Sequence, residues 1–135
     1  KRLVNEISKT GLREILVAHG ENDFGLTENT IVESTKMYIQ KTRDLLDAPQ
    51  LTFSIAKSNT GGTAEPIMKV KSAQRRILTE IKNTMVGADL ETLTGEKYRW
   101  DGIHFNSAGL EQAANRWNES LPLSFFTQTT PFTPK

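Results

Sequence analysis

One short run constrains this chain more than any other feature: Ile15–Ala18 (ILVA), in which every side chain is apolar. A strand that shows one face to water alternates apolar and polar residues, whereas an unbroken apolar run has both faces covered. Bounded by Gly20, the run reads as a buried strand of a parallel sheet. Parallel neighbours require crossover segments between them, and the sequence supplies these in order. Thr30 and Glu33 fit a capping box that opens a helix to about Asp47. In it Ile31, Tyr38 and Leu45, with Val32, Ile39 and Leu46, recur as one apolar stripe. Pro49 ends the segment.

The pattern then repeats. Leu51–Ala56 (LTFSIA) is a second strand by its β-rich composition, and Ser58–Ala64 (SNTGGTA) is a loop. Pro66 suits the first turn of a helix that runs to about Thr84, with Ile67, Val70, Ile77, Leu78 and Ile81 inward. Met85–Leu90 (MVGADL) is a weaker strand interrupted by Gly87. A loop leads to Asp101. Ser107 is expected to cap a last helix carrying Leu110, Ala113, Ala114, Trp117 and Leu121 on one face. Strand and helix alternation predicts an α/β chain with a parallel sheet and helices on both faces. Residues 1–121 read as part of a single domain and residues 122–135, with Pro131 and Pro134, as an irregular tail. At the other end, Lys1–Lys9 reads as the last turns of an amphipathic helix closed by Gly11, so further sequence upstream is expected.

Composition narrows the function classes. The 17 basic and 16 acidic residues balance to a net charge of +1, which gives no general pull toward nucleic acid or an anionic membrane. Lys69, Lys71, Arg75, Arg76 and Lys82 make a basic helix face, which by default is a solvated one. No run approaches the roughly 20 apolar residues of a membrane-spanning helix. With no cysteine in 135 residues, disulfides and thiolate metal sites are excluded.

Two loops carry chemistry. Gly20-Glu21-Asn22-Asp23 follows the first strand, and sites in open parallel sheets form at the carboxyl ends of strands. An asparagine amide there can donate to a bound carbonyl oxygen, as one member of an oxyanion hole. Read alone, the same four residues are a polar turn. Asp101-Gly102-Ile103-His104 precedes the last helix. A carboxylate three residues before a histidine can accept from its Nδ1–H, fixing the tautomer and leaving Nε2 as a general base. Read alone, this is a capped histidine near a helix start. Glu21 and Asp23 are turn acids, with no metal site expected of them. Tyr98 and Trp100 suit stacking on a sugar ring, covering the histidine, or core packing.

Together, Gly20 and Asn22 match G-x-N-D, and Asp101 and His104 match D-x-x-H, in the order of the SGNH or GDSL-type hydrolase superfamily, which the sequence resembles. WDGIHFNSAGLEQAANRW is similar to the D-G-x-H-F ending of sialate O-acetylesterase-like and acetylxylan-esterase-like carbohydrate esterases. VAHGENDFG resembles their H-Q-G-E-S-D loop, with His19 where that branch has glutamine. The resemblance spans about Leu12 to Trp117. It implies a three-layer α/β/α, flavodoxin-like fold, incomplete at its N-terminus, and a serine esterase that removes O-acetyl groups from a carbohydrate. It implies His104 as base, Asp101 as its orienter, Asn22 as oxyanion donor and Gly20 as the residue shaping that loop. No metal or organic cofactor is implied, and an exported location is favoured.

The nucleophile does not carry over. None of the serines, at 8, 34, 54, 58, 72, 107, 120 and 124, follows the family's G-D or G-Q. Ser58 is expected to be a turn residue and Ser107 a helix cap. The expectation is therefore a site completed by an upstream segment or a companion chain carrying the serine. Two alternatives stand beside it: a noncatalytic carbohydrate-binding or structural pseudo-enzyme, and a lipase or thioesterase of the same superfamily.

Overall fold

The structure is a computed structural model that describes residues 11–20, 22–23, 25–58, 64–128 and 130–131. The helix end expected over Lys1–Lys9, the loop residue Glu21 and residues 59–63 lie outside these. The elements are β1 (Glu14–Val17), α1 (Glu28–Leu46), β2 (Thr52–Lys57), α2 (Ala64–Glu80), β3 (Thr84–Asp89), α3 (Ser107–Ser120) and α4 (Leu123–Gln128). The chain is thus α/β, with a parallel sheet in the order β1-β2-β3. Ile15 and Val17 lie beside Phe53 and Ile55, which in turn lie beside Thr84 and Val86.

Successive strand residues point to opposite faces, and two core clusters follow from that. Val17, Phe53 and Ile55 pack with Ile31, Val32, Ile39 and Leu46 of α1 and with Val70, Ala73 and Ile77 of α2. Ala56, next along β2, turns the other way and joins Ala88, Leu90, Leu93, Ala113 and Trp117 on the α3 side. Full burial of Phe53, Val32 and Ile77 contributes roughly 1.5–3 kcal/mol each. Gly87 is what lets α3 approach, since a Cβ there would lie 2.6 Å from the Trp117 ring and 3.0 Å from the Ile55 carbonyl carbon. The residue that weakens the third strand in sequence is the one on which the last helix seats.

The helix ends and stripes differ in places from expectation. The N-cap of α1 is Thr27, whose hydroxyl accepts from the Thr30 amide at 3.1 Å, so the helix begins a turn before the Thr30–Glu33 pair. Of its stripe, Ile31, Val32, Ile39 and Leu46 are buried, while Tyr38 and Leu45 are exposed. Tyr38 meets the sheet through an edge contact with the Phe53 ring at 5.9 Å, and Leu16 of β1, an edge strand, is also exposed despite the apolar run around it. Ser107 is not the cap of α3. Asn106 holds that place, accepting from the Gly109 amide at 2.9 Å while its own amide group donates to the Glu96 and Lys97 carbonyls. Leu110 and Ala114, expected inward, are exposed, leaving Ala113 and Trp117 as the packed positions. The tail is not wholly irregular, because α4 forms there and buries Phe125. The basic face on α2 is partly paired, Arg76 with Glu28 and Glu80, and Lys71 with Glu91. Among the described residues no helix is long and apolar enough to cross a membrane.

Arg43 secures the amino edge of the sheet. Buried at the end of α1, it donates to the Leu51 carbonyl at 2.9 and 3.0 Å and to the Lys82 and Asn83 carbonyls at 2.9 and 3.2 Å. These carbonyls precede β2 and β3, so this end is braced while the opposite edge carries the loops. At that edge Gly109 abuts the Tyr98 carbonyl and would place a Cβ 2.8 Å from the Phe105 ring. Gly109→Ala is expected to lower stability by about 1–3 kcal/mol through overpacking, read as a shift of the denaturant midpoint. An unchanged midpoint would show that α3 does not need this close approach.

Candidate active site

Because all three strands run parallel, the loop after β1 and the loop after β3 emerge at the same carboxyl edge. One strand separates them, a spacing of roughly 10 Å. The β1 loop is set by Gly20, whose φ of +129° disfavours any side chain. A Cβ there would also meet the Ser58 carbonyl at 2.9 Å, Val70 at 3.0 Å and Gln74 at 3.1 Å. Gln74 is buried on the inward side of α2 and donates to the Ser58 carbonyl at 2.9 Å and the His19 carbonyl at 3.4 Å. It therefore ties the end of β1 to the end of β2. Beyond Gly20 the chain turns, with the Asp23 amide donating back to the Gly20 carbonyl at 3.2 Å. Asn22 sits exposed on this turn, and its side chain bonds to no described residue. Asp23 lies 3.3 Å from His19 Nδ1.

The β3 loop holds a tighter constellation. Gly102, at φ +83°, turns the chain between Asp101 and Ile103. That reversal lets one Asp101 oxygen accept from the Ile103 amide at 2.9 Å and the His104 amide at 2.7 Å. The other oxygen lies 2.6 Å from His104 Nδ1. Hydrogen bonds to the carboxylate, first from the His104 ring and then from its backbone, hold Asp101 down to about 2. Asp101 is accordingly an anion across the pH range in which histidine changes charge. An anion facing Nδ1 favours the tautomer with its proton there and the lone pair on Nε2. The His104 ring is 66% exposed, which leaves Nε2 accessible. Trp100 stacks on it, with centroids 5.5 Å apart and planes 19° from parallel. Of the three uses its sequence position allowed, Trp100 covers the histidine, while Tyr98 packs against the α3-side cluster.

The structure thus brings Asp101 and His104 together and places Gly20 and Asn22 on one turn. Among the described residues no hydrogen bond joins the two turns. Among the described residues no hydroxyl lies within hydrogen-bonding distance of His104. Ser58 is buried at the end of β2, Ser107 is the first residue of α3, and Ser54 is fully buried, donating to Glu14 at 2.7 Å. No group of three or more potential metal ligands occurs among the described residues. A groove of about 470 Å³ lies along the outer flank of β1, lined by Leu16, His19, Asp23, Leu26 and Tyr38 among others, away from His104.

Three further residues shape the site without a motif to announce them: Gln74, Asn106 and Arg99. Gln74 carried a faint signal, being a polar residue within the apolar stripe Val70, Ala73 and Ile77. Asn106 stood one residue before the expected cap. Arg99 carried no signal at all, although it is buried and central to the β3 loop. Comparisons with protein-family models, with curated proteins and with solved structures each find no match.

Proposed function

We propose that this chain carries the base and oxyanion-donor part of an SGNH-type serine esterase site, within a flavodoxin-like fold, acting on O-acetyl groups of a carbohydrate. The Asp101–His104 pair carries the reading: a carboxylate fully occupied in orienting one histidine, with Nε2 exposed at the carboxyl edge of a parallel sheet. The serine comes from an upstream segment or a companion chain. His104 Nε2 takes the hydroxyl proton as the serine attacks the ester carbonyl, then delivers it to the leaving alcohol. Asp101 stabilises the imidazolium between those steps. Asn22 donates its amide N–H to the carbonyl oxygen as negative charge develops. Gly20 holds that turn against the end of β2. The carbohydrate acetate as substrate rests on the resemblance of the two loop phrases alone.

Labelling the natively purified material with a fluorophosphonate, followed by intact mass, tests this. Label on a G-D-S or G-Q-S serine of an associated segment supports the esterase. A folded, unlabelled chain with no associated segment overturns it. The second reading, a carbohydrate-binding pseudo-enzyme, is favoured in that case by the lack of any described hydroxyl beside His104. In the complete, active assembly, Asn22→Ala is expected to lower kcat about a hundredfold with little change in KM, the usual loss for one oxyanion donor. A kcat within twofold of the unaltered enzyme would remove Asn22 from the oxyanion hole.

A further inference from the structure

Arg99 lies five residues before His104 and is 2% exposed. Its Nε donates to the Leu93 carbonyl at 2.7 Å, where the loop leaves the core. Its Nη1 donates to the carbonyl of Ile103, the residue just before His104. The guanidinium lies 4.0 Å over the Phe105 ring, the residue just after it. The backbone closes the same circle. Arg99 and Phe105 form an antiparallel bridge, the Trp100 amide donates to the His104 carbonyl at 3.1 Å, and the Arg99 amide donates to the Gly95 carbonyl at 2.9 Å. Asp101–His104 is therefore the tip of a small hairpin whose interior is filled by one guanidinium. A planar fork can donate in two directions and stack on a ring at once; an ammonium cannot.

We propose that Arg99 is a positioning residue for His104, holding the hairpin so that the imidazole meets Asp101 in a single tautomer. The inference rests on reading His104 as the base. It acts through the two residues that flank the histidine: the Ile103 carbonyl fixes where the chain enters, and the Phe105 ring fixes where it leaves. With both fixed, the His104 amide and ring reach the same carboxylate. Without the guanidinium the tip keeps its Asp101 bonds, the Trp100 ring and the backbone bridge, but nothing fills the hairpin's interior, and the imidazole samples orientations in which Nε2 carries the proton.

The test is the imidazole nitrogen spectrum of the ¹⁵N-labelled full chain at neutral pH. With 2 histidines, His19→Gln assigns the signals. The unaltered chain is expected to show His104 in the Nδ1–H form. Arg99→Met is expected to turn this into a tautomer mixture and to speed exchange of the His104 amide about tenfold or more, while sheet amides keep their protection. A fixed Nδ1–H tautomer in a folded Arg99→Met chain overturns the proposal. If that variant loses the sheet, Arg99→Lys is read instead. It keeps a buried cation but cannot span both carbonyls and the ring, so the mixture is again expected, and a fixed tautomer again overturns the proposal. In the complete assembly Arg99→Lys is expected to lower kcat with KM unmoved; equal losses in both variants' folding and KM would mark a merely structural arginine. The two readings fail differently. An Nε2–H histidine in the unaltered chain overturns both. A tautomer that depends on Arg99 in a protein that no fluorophosphonate labels leaves the positioning role standing and removes only the esterase.

Discussion

Replacing His104 with alanine is expected to abolish ester hydrolysis by the complete assembly, a loss of about 10⁴-fold or more. The size follows from what the ring supplies. A serine hydroxyl is a weak nucleophile until a base takes its proton, and the leaving alcohol is a poor leaving group until an acid returns one. One imidazole performs both steps, so its removal affects acylation and deacylation alike. Stability is expected to change little, since the ring is 66% exposed and its one side-chain hydrogen bond is to Asp101. The check is steady-state turnover of an aryl acetate beside a thermal unfolding curve. Turnover within tenfold of the unaltered protein, with the fold intact, would remove His104 from the mechanism and the esterase reading with it.

Asp101→Asn is expected to lower kcat by a similar factor, about 10⁴, while leaving the loop nearly in place. The amide is isosteric with the carboxylate, and one oxygen can still accept from the Ile103 and His104 amides. What changes is the atom facing Nδ1. With the oxygen committed to the backbone, the asparagine NH₂ faces the ring, and a donor there selects the tautomer with its proton on Nε2. The nitrogen that should act as base then carries a hydrogen. Steady-state kinetics separate this from simple damage: a tautomer error lowers kcat with KM unmoved, whereas a displaced loop also raises KM. A variant with full activity would mean that Asp101 only caps the turn, the plainer role its sequence position also allowed.

How much of this could be read beforehand differs from element to element. Alternating strands and helices were legible because each strand is a compact β-rich run and each helix has apolar residues at helical spacing. Ile15–Ala18 marked a strand, but the burial on both faces that its apolar run predicts is not met: β1 lies at the sheet edge, Ala18 falls beyond it, and Leu16 and Ala18 are exposed. The Asp101–His104 pair was equally legible, because all its parts lie within four residues and Gly102 supplies the one unusual φ. Helix ends were read less well. Thr27 and Thr30 are both competent caps, as are Asn106 and Ser107, and the choice between neighbours depends on which amides the turn presents. The stripe on α1 was read too wide, since Tyr38 and Leu45 have the right spacing but stay exposed, Tyr38 meeting the sheet only through an edge contact with the Phe53 ring.

Local chemistry, then, was determined by sequence alone: which segments can be strands, which glycines can take positive φ, and which carboxylate can reach which histidine across one turn. The tertiary structure decided everything that depends on partners distant along the chain. It put the β1 and β3 loops on one edge by making the strands parallel. It chose Gln74 to tie two strand ends together across 55 and 16 residues of sequence. It made Gly87 the seat for Trp117, and Arg99 the filling of a hairpin. The physical reason is common to all of these. A hydrogen bond or a close contact between distant segments has no periodicity to betray it, and it exists only once burial has brought both sides to the same place.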